Sequence, residues 1–193
     1  MKKIIIAITG ASGVIFGIRL LELLKQTEYE VHLIISEAGL KNIELETDYC
    51  CGDVRKLAEY SYDYKDISAS LASGSFLTDG MIVVPCTIKT LSGIANCYTD
   101  NLIVRAADVT LKEQRKLVLV LRETPLHLGH LRLMTLAAES GACILPPTPS
   151  FYHQPKTIDD LINQTIGKIF DYFKIDHDLF MRWGVMQKKN NYK

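Results

Sequence analysis

Four short runs in this sequence are apolar almost from end to end: Lys3–Thr9 (KIIIAIT), Glu30–Ser36 (EVHLIIS), Met81–Pro85 (MIVVP) and Lys116–Leu121 (KLVLVL). A strand with one wet face alternates apolar and polar residues, so runs without alternation belong to strands covered on both faces. The segments between them carry helical spacing. Ile18, Leu20, Leu21 and Leu24 follow the first run, and helices are expected over 38–47, 87–97, 101–113 and 127–140. A short fifth strand is expected at Ala142–Leu145. A long amphipathic helix is expected over 157–173, with Ile158, Leu161, Ile162, Ile166, Ile169 and Phe173 on one side. Strand–helix alternation of this kind predicts a single three-layer α/β/α domain around a mainly parallel sheet, Rossmann-like or flavodoxin-like. Its expected span is 1–184, with a polar C-terminal tail over 185–193 that frays. The stretch 49–80, rich in Tyr, Ser, Asp and Gly, reads as a loosely organised excursion.

Charge narrows the function classes. The 193 residues hold 22 Lys plus Arg against 22 Asp plus Glu. That balance lacks the basic excess of a nucleic-acid binder. No apolar run approaches the roughly 20 residues of a membrane helix. Ile4–Ile8 is too short for a signal-peptide core, and the expected compartment is the cytoplasm. Five cysteines, an odd number without C-x-x-C spacing, predict reduced and mostly buried thiols and no metal site.

In an open parallel sheet the ligand edge is the carboxyl end of the strands. Those ends carry Thr9-Gly10-Ala11-Ser12-Gly13, Ser36-Glu37, Pro85-Cys86-Thr87, Arg122-Glu123 and the Pro-rich stretch Pro146–His153. The Gly10–Gly13 turn opens a helix N-terminus, a natural place for an anion, but it lacks the Lys-Ser/Thr of a Walker A loop. Thr87 and Thr90 are placed either to cap a helix or to bind a ligand. Arg122 and Glu123 follow a buried strand directly, so they are expected to be paired or held for chemistry. Arg105, Asp108 and Lys112 share a helix face, which reads as a solvated face or a subunit contact. His127 and His130 also share a face, without the further ligands a metal needs.

Seven strings stand in order along the chain: ITGASG (Ile8–Gly13), SGS (Ser73–Ser75), VVPC (Val83–Cys86), NLIVRAADVTLKE (Asn101–Glu113), RETPLHLGHLRLM (Arg122–Met134), FYHQP (Phe151–Pro155) and RWG (Arg182–Gly184). Together, over about Lys3–Gly184, they resemble the UbiX-type flavin prenyltransferases. The RETPLHLGHL string resembles the branch found as small subunits beside phenolic-acid and hydroxybenzoate decarboxylases. The resemblance implies a transferase that joins a dimethylallyl group from dimethylallyl phosphate to N5 and C6 of reduced FMN. The prenylated FMN then serves a UbiD-type decarboxylase. It also implies a metal-free enzyme and a homo-oligomer, most often a dodecamer built of trimers with flavin at subunit contacts.

Residue by residue, the resemblance implies flavin contacts at Gly10, Ala11, Ser12, Ser36, Thr87, Ile88, Lys89, Thr90 and Arg122. It implies chemical roles for Ser12, Glu46, Arg105, Lys112, Glu123 and Tyr152. Dimethylallyl phosphate falls to Tyr152 and Lys168. Lys168 stands where many relatives have Arg, keeping the charge without the bidentate fork. Ile67 or Ser68 stands where some relatives line the prenyl pocket with Trp. Leaving phosphate asks for cations, and Arg105, Lys112, Arg122 and Lys168 provide four.

Three other readings compete. A nicotinamide-dependent short-chain oxidoreductase needs a catalytic Tyr and Lys on one helix, but Pro155 falls between Tyr152 and Lys156. The others are a flavin-dependent peptidyl-cysteine decarboxylase and a non-catalytic flavin-binding subunit of a decarboxylase.

Overall fold

The computed structural model describes residues 2–184; the tail expected over 185–193 lies outside the described residues. The chain divides into two compact units, one up to Pro146 and one from Pro147 onward. The first unit contains β1 (Lys2–Ile8), α1 (Val14–Leu24), β2 (Tyr29–Ile35), α2 (Glu37–Glu46), α3 (Cys51–Arg55), β3 (Tyr60–Tyr62), β4 (Gly80–Cys86), α4 (Ile88–Ala95), α5 (Leu102–Lys112), β5 (Lys116–Leu121), α6 (Leu128–Glu139) and β6 (Cys143–Ile144). The second contains α7 (Ile158–Phe173) and the segments on either side of it.

The six strands form one sheet in the order β3-β2-β1-β4-β5-β6, every pair parallel. Every residue of β2 and β4 is buried, as are Ile4 to Ile8 of β1 and Leu117 to Leu121 of β5. Burying each such Ile, Leu or Val contributes roughly 1.5–3 kcal/mol. This is why the four apolar runs are strands. The excursion 49–80 is more ordered than its composition suggests. It holds α3, a 3₁₀ turn at Ser70–Ala72, and β3, which pairs with β2 at the sheet edge. Three residues with two of them exposed leave no periodic signature.

Helix ends follow side-chain chemistry. Ser36, Thr87 and Asn101 cap α2, α4 and α5 by accepting N–H bonds from Gly39, Thr90 and Val104. Thr157 and Asp160 form a reciprocal capping box on α7. His127 caps α6, its Nδ1 accepting from Gly129 N–H at 3.0 Å, and its ring lies 3.6 Å from that of His130. No His, Cys, Asp and Glu group able to hold a metal occurs among the described residues, and none of their helices is long and apolar enough to cross a membrane.

α5 carries the expected charged face, with Arg105 and Asp108 half-buried and Lys112 exposed, while Leu102, Ile103, Val104, Ala106, Ala107, Val109 and Thr110 on its other sides are buried. An uncovered apolar face belongs to α6, where only Ala137 is buried and Leu128, Leu131 and Leu136 are 43–60% exposed. One expectation is corrected: the cysteines are not mostly buried. Cys86 is enclosed, and burial pushes its thiol up to about 12. Cys50 and Cys97 are exposed, Cys51 and Cys143 are in between, and all five are free.

Gly17 lets α1 lie against the sheet. A β-carbon there would come 2.6 Å from the Val84 carbonyl oxygen and 2.9 Å from Ile8. Gly17→Ala is therefore expected to lower unfolding free energy by about 1–3 kcal/mol, read as a reduced urea midpoint at unchanged slope.

Candidate functional site

β1 and β4 are neighbours, but the chain leaves β1 towards β2 and leaves β4 towards β5. Such a divergence opens a crevice at the carboxyl ends of the strands. Thr9, just past β1, holds its two sides together. Its hydroxyl donates to the Pro85 carbonyl at 2.6 Å and accepts the Thr87 N–H at 3.0 Å. Ser36 N–H donates to Ile8 O at 3.0 Å, and Arg122 N–H to Cys86 O at 3.1 Å, so the four strand ends are joined edge to edge.

A cleft of about 210 Å³ opens on this seam, lined by Thr9, Gly10, Ser36, Glu37, Ala38, Tyr64, Thr87, Lys89 and Thr90. A neighbouring cleft of about 560 Å³ shares Tyr64, Lys89 and Thr90 with it and runs along α4 to Asn101. The second lies within the size range of small-molecule sites. The structure thus brings Gly10, Ser36, Thr87, Lys89 and Thr90 together. Ala11, Ser12, Ile88 and Arg122 do not line either cleft, and Ile88 packs against the core.

The capping reading of Thr87 holds, and the residue also lines the cleft. Its hydroxyl caps α4 by accepting from Thr90 N–H at 3.1 Å, and it donates to Thr90 Oγ1 at 3.0 Å. That direction leaves the Thr90 proton free for a further acceptor. Glu37 is an acidic neighbour of the cleft. Lys65 binds it at 2.6 Å and holds its carboxyl below the usual range, with Lys41 and Lys89 acting the same way. Tyr64 is pushed the other way: burial, then the charges of Asp100 and Glu37, raise its phenol. Thr9 and Glu37 were placed at the ligand edge without a contact being assigned to them, Ala38 was read only as the start of a helix, and Tyr64 lay in the stretch read as loop.

The turn at α1 differs from a bare anion nest. Gly13, with φ +97°, provides no side-chain cap. Instead Glu46, the last residue of α2, accepts the N–H groups of Gly13 and Val14 at 2.7 and 3.3 Å. A carboxylate at a helix N-terminus is favoured by the dipole. Two donors of the expected anion site are thereby engaged. The N–H groups of Ala11 and Ser12 have no partner among the described residues. Gly10 keeps the turn tight against α2, since its β-carbon would lie 2.3 Å from that of Ala38. Asn42 Nδ2 donates to Gly10 O at 3.0 Å.

The expected cations are dispersed. On α5, Arg105 pairs with Asp108 at 2.9 Å and donates from Nε to Ala72 O at 3.1 Å. Lys112 pairs with Glu113. Arg115, not anticipated, grips the same loop at Gly74 O (2.7 Å) and Phe76 O (2.8 Å). Arg122 and Glu123 are not a buried pair. Both are exposed, and Glu123 accepts, among the described residues, the neighbouring Thr124 N–H at 3.1 Å.

Tyr152 and Lys168 belong to the second unit. The Tyr152 ring meets His153 edge-on at 5.6 Å and Trp183 at 5.4 Å. Residues 151–157 form no helix, so the short-chain Tyr–Lys arrangement is absent. His153 receives or gives a bond to Ser150 Oγ at 3.3 Å, while its buried Nε2 has no partner among the described residues. The Lys168 ammonium lies 5.4 Å from the Phe180 ring centre.

A model of the Flavoprotein family matches residues 1–169. Flavin prenyltransferase UbiX of Escherichia coli K12 is 56% identical over 186 residues, covering 95% of this chain and 98% of the relative. The crystal structure of AnUbiX (PadA1) in complex with FMN and dimethylallyl pyrophosphate superposes with a TM-score of 0.93 at 47% identity, covering 95% of this chain and 97% of that one. A dodecameric FMN-dependent UbiX-like decarboxylase from Escherichia coli O157:H7 gives 0.92 at 46% identity, over 94% and 98% of the two chains.

Glu46→Ala is expected to destabilise the first unit by about 0.3–1 kcal/mol, because α1 loses its capping carboxylate. The loss should shrink in high salt, which screens the dipole. Equilibrium urea unfolding at two ionic strengths checks both.

Proposed function

The chain belongs to the UbiX-type flavin prenyltransferases within the Flavoprotein family, and from that premise we propose that it transfers a dimethylallyl group from dimethylallyl phosphate to N5 and C6 of reduced FMN, producing prenylated FMN for a UbiD-type decarboxylase. The observation that carries the proposal is the cleft at the β1/β4 divergence, whose lining includes five of the flavin contacts expected from the sequence.

The donor set fits FMN. A phosphate needs several donors. Thr90 and Lys89 at the start of α4, with Ser36 across the cleft, offer hydroxyl protons, a cation and a helix N-terminus together, while the neighbouring Glu37 carboxylate is paired with Lys65. The unpartnered N–H groups of Ala11 and Ser12 and the Tyr64 phenol suit the donor and acceptor edge of a flavin ring. When bound, the reduced flavin supplies the nucleophilic nitrogen and carbon that accept the prenyl group.

The protein's own part is electrostatic and positional. Tyr152 and Lys168 are assigned to hold the prenyl phosphate by donation to its oxygens, and Arg105, Lys112 and Arg122 to stabilise charge on the departing phosphate. Glu123 is assigned to accept the proton lost on ring closure; its carboxylate is exposed and carries a single backbone bond. Ser12 and Glu46 flank the flavin turn, and Glu46 also orders it. No metal is required by this scheme.

We read residues 1–184 as one flavoprotein domain, a reading supported by the span of the family match across both units. We also propose a cytoplasmic homo-oligomer, a dodecamer by likeness to the Escherichia coli O157:H7 structure. The exposed leucines of α6 support self-association, and the five free cysteines suit a reducing compartment.

Incubation with reduced FMN and dimethylallyl phosphate is expected to add one isoprenyl unit to the flavin mass. Flavin that binds and stays unchanged would instead indicate a binding subunit, and retained NAD without flavin would return the oxidoreductase reading. In the same assay Glu123→Gln and Ser12→Ala should keep FMN binding and slow transfer; wild-type rates in both would remove them from the chemistry.

Charge-assisted hydrogen bonds contribute roughly 1.5–3 kcal/mol each. Tyr152→Phe and Lys168→Ala are therefore expected to raise the dimethylallyl phosphate requirement about tenfold to a hundredfold, with FMN affinity unchanged. An unaltered concentration dependence in both variants would place the phosphate elsewhere.

A further inference from the structure

α7 ends at Lys174, which takes a left-handed conformation at φ 60°, and the chain turns back. The returning segment is fastened to the helix at one carboxylate. Asp171 Oδ1 accepts from Arg182 Nη2 at 2.7 Å and Oδ2 from Nη1 at 3.2 Å, a forked pair. His177 Nε2 lies 3.1 Å from the same Oδ1, while His177 Nδ1 accepts the Leu179 N–H at 3.2 Å. A neutral His177 with its proton on Nε2 satisfies both bonds. Its side chain is only 3% exposed. Gly167 makes room for the returning chain: a β-carbon there would meet the Phe180 ring at 2.4 Å and the His177 ring at 2.8 Å.

The segment held in this way reaches two other residues. Phe180 lies under the Lys168 ammonium at 5.4 Å, within cation–π range. Trp183, next to Arg182, meets the Tyr152 ring edge-on at 5.4 Å. Tyr152 and Lys168 are sixteen positions apart in sequence and on different elements, and both are touched by residues 180–183.

We propose that Asp171, acting through Arg182 and His177, is a positioning residue for the prenyl phosphate site, because it fixes the 177–183 segment whose Phe180 and Trp183 set Lys168 and Tyr152. The inference rests on the assignment of those two residues to dimethylallyl phosphate. The Asp171 carboxyl is held below the usual carboxylate range, first by the Arg182 bond, so the clamp is charged at neutral pH.

The test compares Asp171→Asn, Arg182→Lys and Gly167→Ala with the wild-type enzyme. Asp171→Asn is expected to raise KM for dimethylallyl phosphate about tenfold with FMN affinity unchanged. Arg182→Lys, which keeps the charge without the fork, should give a smaller rise. Gly167→Ala, which keeps the Asp171–Arg182 pair but crowds Phe180 and the clamp's His177, should raise KM as well. In the Asp171→Asn/Tyr152→Phe double variant the combined loss should fall short of the product of the single losses, since Tyr152 is already loosened. Trp183 is the sole tryptophan, so its emission anisotropy reads the segment directly and should fall in Asp171→Asn. Unchanged KM and anisotropy in Asp171→Asn and Gly167→Ala, or fully multiplicative losses in the double variant, overturn the positioning role. Wild-type enzyme that forms no prenylated flavin overturns the functional reading beneath it instead.

Discussion

The hydroxyl of Thr9 spans the place where β1 and β4 part company. It donates to one strand end and accepts from the turn beyond it, and no other side chain among the described residues joins those two ends. The crevice depends on that bridge. Two parallel strands whose connections run in opposite directions leave exposed backbone at their carboxyl ends, and burial without partners is costly there. Thr9 satisfies the groups on the inner side, so the remaining donors of α2 and α4 face the cleft with fixed geometry. The flanking residues gain their roles from this frame: Ser36 and Thr87 end as helix caps and cleft walls at once.

Charge is distributed along the sequence in a way that keeps the resting protein quiet. Glu46 occupies the α1 N-terminus, Asp108 holds Arg105, Glu113 holds Lys112, and Lys65 holds Glu37. Most of these pairs are exposed and worth little in stability. Their effect is on geometry, since a paired long side chain samples fewer rotamers. Arg122 and Glu123 are the exceptions, with outward side chains and no ion pair among the described residues. A cation and a carboxylate left open at a strand end are available to whatever approaches that edge.

How much of this was legible depends on what pattern each part leaves in sequence. Buried parallel strands write continuous apolar runs, so β1, β2, β4 and β5 were readable to within a residue or two. β3 was not, because a three-residue edge strand with exposed tyrosines has no apolar run and no alternation. On α5 the Arg105, Asp108 and Lys112 face was legible from its charge; the seven buried positions on the other sides show that a charged stripe and a core helix are compatible. Gly10, Ser36 and Thr87 stood at the carboxyl ends of strands, the ligand edge of a parallel sheet, while their assignment as flavin contacts, with Lys89 and Thr90, came from the family resemblance. Tyr64 was missed since its placement comes from β3 and from the Leu102 N–H bond to its carbonyl at 3.0 Å, a tertiary fact with no local sign. The Asp171–Arg182–His177 clamp was hidden for the same reason: its members are eleven residues apart and meet only after the chain reverses at Lys174.

The outward leucines of α6 carry a consequence for the life of the chain rather than for its chemistry. A helix that holds Leu128, Leu131 and Leu136 in water is unfinished until something covers it. Under the proposed self-association, identical copies cover it and the folded population grows with protein concentration. Dilution then destabilises, and a newly made chain is most vulnerable to proteases and to misassociation in the interval before enough siblings have accumulated. For such a protein the rate of synthesis is itself a determinant of stability.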